Sequence, residues 1–190
     1  MNTTSLPPER ARLRLPADPD ATERLGERIG RQLRTGTVLA LVGDLGTGKT
    51  TLVRGLARGL KVDDPDAVAS PTYLLVVEHE GPLPLRHADA YLPAKLAGFL
   101  ADGGLDYLLA PDAVCAVEWA DRIADQLPAA ALWVVLTVTP DGGRSLAFRC
   151  AAPGDFPWLG HVAETHPGTR AEDPAAPPAT AGPDPGPDRR

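Results

Sequence analysis

The stretch Gly43-Asp44-Leu45-Gly46-Thr47-Gly48-Lys49-Thr50 fits the phosphate-loop pattern G-x-x-x-x-G-K-[ST] without a gap. Each residue type in it has a physical job. The glycines let the backbone curl so that successive N–H groups point inward at phosphate oxygens. Lys49 brings a point charge for the β- and γ-phosphates, and the Thr50 hydroxyl suits Mg²⁺. The flanks have the order that this chemistry needs. Val38–Val42 is a short apolar run that reads as a buried parallel strand. Thr51 to Leu60 carries Leu52, Leu56 and Leu60 at helical spacing, so a helix dipole follows the loop. A glycine-rich turn that binds nothing would not need that strand–loop–helix context. The stretch reads as a nucleotide site.

The loop fixes a fold class: α/β, a P-loop NTPase-like sheet flanked by helices. Residues 1–10 are polar and proline-containing, and read as a flexible arm. Arg12–Leu15 alternates like a short edge strand. Asp20 and Glu23 have capping-box spacing before a helix with Leu25, Ile29 and Leu33 on one stripe, which Gly36 ends. After the P-loop helix, Tyr73–Glu78 and Leu83–Tyr91 flank the turn residues Glu80-Gly81-Pro82 and predict a β-hairpin. Pro93–Leu109 reads as helix in pieces, broken at Gly103-Gly104. Ala113–Val117 is a second fully apolar strand, ending in Glu118-Trp119. A short helix over Asp121–Leu127 and strands over Leu132–Thr139 and Arg144–Cys150 complete the domain, residues 11–158. Nine of the 21 prolines fall in residues 151–190, with few large apolar side chains after Trp158. Such a segment buries too little to offset its ordering entropy, so 159–190 is expected to be a Pro-rich disordered tail.

Composition excludes some partners. With 19 basic and 25 acidic side chains the net charge is −6, so no large positive field favours autonomous binding to nucleic acid. Two cysteines, Cys115 and Cys150, make no disulfide framework. The N-terminal residues lack signal-peptide features and no apolar run spans a bilayer, so the expected place is the cytoplasm, away from membrane. The four histidines have no ligand-like spacing with the cysteines, which argues against zinc.

Three clusters beyond the loop bear on chemistry. Glu118, at the C-terminal end of an apolar strand, has the context of a carboxylate that holds Mg²⁺; the alternatives are a helix cap or a solvated side chain. In His87-x-Asp89-x-Tyr91, strand alternation puts all three on one face, where Asp89 can orient or deprotonate an attacking water. The plainer reading, favoured without further context, is a His–Asp hydrogen bond that pins the hairpin. Ser70 and Thr72 lie in a loop that either closes on the nucleotide, as a switch does, or simply turns after Pro71. Arg54 and Arg58 either face a partner or form a solvated helix face.

Taken together, Thr22-x-x-Leu25-Gly26, the P-loop with Thr51, Ser70-Pro71-Thr72-Tyr73, His87-x-Asp89-x-Tyr91 and Glu118-Trp119 resemble the TsaE (formerly YjeE) family, in its order and at similar spacing over roughly residues 12–150. The resemblance implies an ATPase, slow alone, of tRNA threonylcarbamoyladenosine (t6A) biosynthesis, working with ATP and Mg²⁺ on the TsaB and TsaD proteins and meeting tRNA through them. It implies that Lys49 and Asp89 are catalytic and that Thr50 and Glu118 serve the metal. Gly46, Thr47, Gly48, Lys49, Thr50 and Thr51 would hold ATP, with Thr22 near its base or ribose, and Ser70 and Thr72 would form a switch-like loop. One departure stands out: the family usually has Arg after the tyrosine of His-x-Asp-x-Tyr, where this chain has Leu92. Two other readings remain open. A small-molecule kinase would need an arginine-rich lid, and residues 93–112 hold only Lys95 as a basic residue. A nucleotide-dependent binding module would need no Asp89.

Overall fold

In a computed structural model, residues 6–73, 75–152, 154–164 and 170–171 are described. Strand β1 (Glu9–Leu15) leads into helix α1 (Pro19–Gly30), then β2 (Val38–Val42) and α2 (Lys49–Leu60). The hairpin strands β3 (Val76–His79) and β4 (Leu85–Asp89) precede α3 (Pro93–Ala101) and α4 (Gly104–Leu108). Then come β5 (Val114–Glu118), a 3₁₀ segment (Ala120–Gln126), β6 (Leu132–Val138), β7 (Arg144–Arg149), α5 (Leu159–Glu164) and the two-residue β8 (Arg170–Ala171).

One sheet carries the molecule, in the order β3-β4-β5-β2-β6-β7-β1-β8. Its centre, β4-β5-β2-β6, is parallel, and antiparallel strands flank it on both sides. Alternation along β2 explains the layers. Leu39 and Leu41 join a core under α1 and α2, while Val38 and Ala40 join a second core on the opposite face. The same parity in β5 sends Val114 and Ala116 to the first core, Cys115 and Val117 to the second. Glu118 therefore belongs to the α1–α2 side, as do His87 and Asp89 by their spacing from Leu85, which lies in the first core.

Helices α1 and α2 approach at glycines. A Cβ on Gly26 would stand 2.3 Å from Leu52 O, and one on Gly59 2.2 Å from Glu27 O. Gly30 and Gly55 are equally crowded, at 2.5 Å from Leu56 O and 2.1 Å from Glu23 O. This doubled Gly-x-x-x-Gly contact ties the N-terminal helix to the P-loop helix backbone to backbone. Arg58 and Arg54 reinforce it, at 2.5 and 3.8 Å from Glu23; Arg54 also donates to Val68 O. These arginines are internal tethers, not a free basic face.

Several sequence expectations shift at the edges. The cap of α1 is Asp18, whose carboxylate accepts from Asp20 N at 3.0 Å, and Pro19 opens the helix. Glu23 is thereby released to bind the arginines. Helix α1 ends at Gly30, six residues before Gly36, although Leu33 is still buried. The hairpin is confirmed but its first strand starts at Val76, three residues after Tyr73, because the chain turns through Thr72-Tyr73. The helix expected over Asp121–Leu127 is 3₁₀. Glu9 and Arg10, read as flexible arm, are strand residues, with Glu9 paired to Arg149. Leu159–Glu164, read as the start of the tail, form a helix with Leu159 and Val162 in the first core. The three apolar side chains Phe156, Leu159 and Val162 bury enough surface to order this piece. Residues 165–169 and 172–190 of the expected tail lie outside the described residues.

Candidate nucleotide and metal site

The loop after β2 is built as its glycines require. Gly43, Gly46 and Gly48 have φ of 152°, 79° and 101°, all in the range that favours glycine. Gly43 is doubly constrained, since a Cβ there would lie 2.4 Å from Leu136 O. Gly48 caps α2 without any side-chain bond, so the first amides of this twelve-residue helix have no side-chain acceptor.

Lys49 is only 4% exposed, and its ammonium donates to Gly43 O at 2.7 Å and Asp44 O at 3.0 Å. It also lies 4.1 Å from the centroid of the Trp119 ring. Burial pushes its pKa below the usual lysine value, opposed by the charges of Glu118, Asp89, Asp44 and Asp121. Trp119 can take this position because the chain leaves β5 in a left-handed turn, φ 57°.

Parallel pairing puts the C-terminal ends of β4, β5 and β2 at one sheet edge, with Asp89 opposite Glu118 in register. Glu118 is 3% exposed and neither caps a helix nor meets solvent. Its Oε1 accepts from Thr50 Oγ1 at 2.7 Å and lies 2.9 Å from His87 Nε2. Asp89 does not pair with His87. Its Oδ2 accepts from Ser70 Oγ and Thr72 Oγ1, both at 2.6 Å, and its Oδ1 accepts from Tyr91 N at 2.8 Å. The Ser-Pro-Thr loop is thus latched onto the carboxylate, and it rejoins the sheet through Leu75, held at φ 71°. That conformation costs a non-glycine residue about 1–2 kcal/mol.

Gly46, Gly48, Lys49, Thr50, Thr51, Ser70, Thr72, Asp89 and Glu118 line one cleft of about 380 Å³, with Leu45, Tyr91 and Trp119 at its walls. Thr22 faces a second hollow, about 350 Å³, which shares Gly46, Gly48 and Thr51 with the first. Thr47 lines neither cleft: its amide and hydroxyl both turn onto Asp44 O, at 3.3 and 2.9 Å.

Two residues were missed by sequence reading. Arg144, at the start of β7, donates to Thr47 O at 3.0 Å and Gly46 O at 3.4 Å, and lines the hollow beside Thr22. Arg122 lies 4.8 Å from the Tyr91 ring and 5.1 Å from that of Trp119, and donates to Tyr91 O. A guanidinium therefore stands beside Tyr91 although Leu92 follows it in sequence. No local pattern marked either arginine: Arg144 reaches the loop from β7, and Arg122 lies in the 3₁₀ segment just after Trp119, where nothing in the spacing points it back to Tyr91.

The donor set suits the expected groups. Thr50 and Glu118 offer two hard oxygens side by side, which fits Mg²⁺, an ion bound through few protein oxygens plus water and phosphate. Helix amides, glycines at positive φ and an ammonium fit a polyphosphate.

Fold and site define a P-loop α/β protein. The comparisons narrow this. The family of threonylcarbamoyl adenosine biosynthesis protein TsaE matches residues 16–146. The chain is 38% identical to the tRNA threonylcarbamoyladenosine biosynthesis protein TsaE of Treponema pallidum over 125 residues, 66% of this chain and 90% of the relative. It is 37% identical to the Bacillus subtilis TsaE over 132 residues, 69% of this chain and 80% of the relative. A crystal structure of Bacillus subtilis YdiB superposes with a TM-score of 0.62 at 32% identity, covering 76% of this chain and 87% of that one. The chain belongs to the TsaE family, a family of tRNA t6A biosynthesis.

Proposed function

We propose that this protein is a Mg²⁺-dependent ATPase of the cytoplasm that acts on the TsaB–TsaD pair and meets tRNA through it. The observation that carries the reading is the convergence of Lys49, Thr50, Asp89 and Glu118 on one cleft at the P-loop. Amides of the loop and of α2, with Lys49, would bind the phosphates. Thr22 and Arg144 lie beside the loop where a base or ribose would extend. Thr50 and Glu118 would hold Mg²⁺, which when bound neutralises charge developing on phosphate oxygens.

Asp89 is the group suited to orient an attacking water, but its Oδ2 already accepts from the hydroxyls of Ser70 and Thr72. A water would take their place only when the loop withdraws, so slow turnover is expected of the protein alone. A partner that draws the loop away would accelerate it. The test is ATP hydrolysis by the purified protein with and without the TsaB–TsaD pair. Stimulation by the pair, its loss in Asp89→Ala with ATP binding retained, and loss of ATP binding in Lys49→Ala are expected. Absence of any stimulation overturns the proposal, and full stimulation in Asp89→Ala overturns the role given to Asp89.

A further inference from the structure

His87 is fully buried in the middle of β4, and the only hydrogen bond of its imidazole among the described residues runs to the carboxylate proposed to hold the metal. The contact is 2.9 Å, from Nε2 to Glu118 Oε1, the same oxygen that accepts from Thr50. Register explains how it forms. Ala116 is the residue opposite His87 on β5, two positions before Glu118, and its methyl leaves room for the imidazole to lean along the strand.

The tautomer follows from the partner. With hydrogen on Nδ1, the bare Nε2 would face a carboxylate oxygen, two acceptors in contact. With hydrogen on Nε2 the contact is a charge-assisted hydrogen bond. That leaves Nδ1 as a buried acceptor without a partner among the described residues. A buried polar atom left unsatisfied has a cost, and here it accompanies an imidazole turned to one purpose. Glu118 Oε1 has hydrogen-bond partners in Thr50 and His87 alone among the described residues, and Thr50 is itself a proposed metal ligand.

We infer that His87 is a positioning residue: its Nε2–H holds the Glu118 carboxylate in the rotamer that serves the metal, so that Thr50 and Glu118 present preset oxygens. This rests on the Mg²⁺ reading of the site proposed above. Groups that orient a metal ligand from behind commonly change metal affinity by about 10–100-fold when removed. His87 lines neither cleft, so nucleotide binding without metal is expected to be unaffected by its replacement.

The experiment measures Mn²⁺ affinity by electron paramagnetic resonance on the full chain with a non-hydrolysable ATP analogue, beside metal-free analogue affinity and thermal unfolding. Three variants are compared with the wild type. Glu118→Gln removes the carboxylate charge. His87→Asn keeps a polar side chain but falls short of Glu118, whereas His87→Gln places an amide N–H near the former Nε2. Expected are at least tenfold weaker Mn²⁺ binding in Glu118→Gln and His87→Asn, recovery to within a few-fold in His87→Gln, and unchanged metal-free affinity in the two His87 variants. Wild-type Mn²⁺ affinity in His87→Asn, with Glu118→Gln weakened, overturns the role of His87 alone. So does a His87→Gln variant that folds yet binds as weakly as His87→Asn. Unchanged affinity in Glu118→Gln overturns the metal reading and this inference with it.

Discussion

Arg144 shows how one side chain can fix a loop that it does not belong to. Its guanidinium bonds the carbonyls of Gly46 and Thr47 and also those of Gly142 and Gly143, so the β6–β7 turn is fastened to the P-loop. Hydrogen bonds to a charged group contribute about 1.5–3 kcal/mol each when well formed. Arg144→Ala is therefore expected to raise the dissociation constant for ATP by about tenfold or more, measured by titration calorimetry, with the fold retained. An unchanged constant would mean that the loop holds its shape without the clamp. Cys115 illustrates the opposite case. Burial pushes its thiol pKa up to about 12, so this cysteine packs and does not react.

Among the elements, the α1–α2 pair decides whether Thr22 reaches the nucleotide side at all. Gly59→Ala gains roughly 1 kcal/mol of helix propensity. It also drives a methyl to 2.2 Å from Glu27 O and 2.8 Å from Gly30 Cα, backbone atoms that cannot rotate away. Overpacking typically costs about 1–3 kcal/mol, so the clash wins and urea unfolding should show net destabilisation. Gly98→Ala in α3 is the matched control: nothing lies within 4 Å of its Cβ position, and a gain of up to about 1 kcal/mol is expected. At the other end of the sheet Arg86 joins the hairpin to the chain before β5, bonding Glu78 at 2.9 Å and Asp112 at 2.7 and 2.9 Å. The Tyr107 hydroxyl, then Arg86, hold the Glu78 pKa below the usual carboxylate value, and Arg86 does the same for Asp112. A folded pKa below the unfolded one stabilises above the unfolded value, near 4, and the gain is lost as pH falls through the folded value. Wild type should thus lose more stability between pH 7 and pH 3 than Arg86→Met, as read from urea midpoints.

For the molecule as a whole, the sheet is longer and its core wider than the segment that matches the family. Phe156, Leu159 and Val162 lie in the first core although the family match ends at residue 146. Burying each such side chain contributes about 1.5–3 kcal/mol, and domains are stable by only about 5–15 kcal/mol. A chain ending at Ala152 is expected to melt far below the full chain, with loss of a folded baseline at ambient temperature as the extreme outcome. An unchanged melting temperature would show that α5 is dispensable. No helix among the described residues is long and apolar enough to cross a membrane.

The P-loop, its strand and its helix were legible because each is a local pattern: a glycine spacing, a five-residue apolar run, a leucine stripe. So were the hairpin, the break at Gly103-Gly104 and the carboxylate ending an apolar strand. The end of α1, the bonding of Asp89 to the loop and not to His87, and the order in α5 were not, because each depends on what packs opposite. Spacing by itself determined that a phosphate cradle follows a buried strand and that two acidic residues end nearby strands. Only the tertiary structure decided that Arg144 clamps the loop, that four glycines join two helices, and that His87 stands behind Glu118. Those contacts link residues far apart in the chain, and a local pattern carries no information about which distant backbone will close on it.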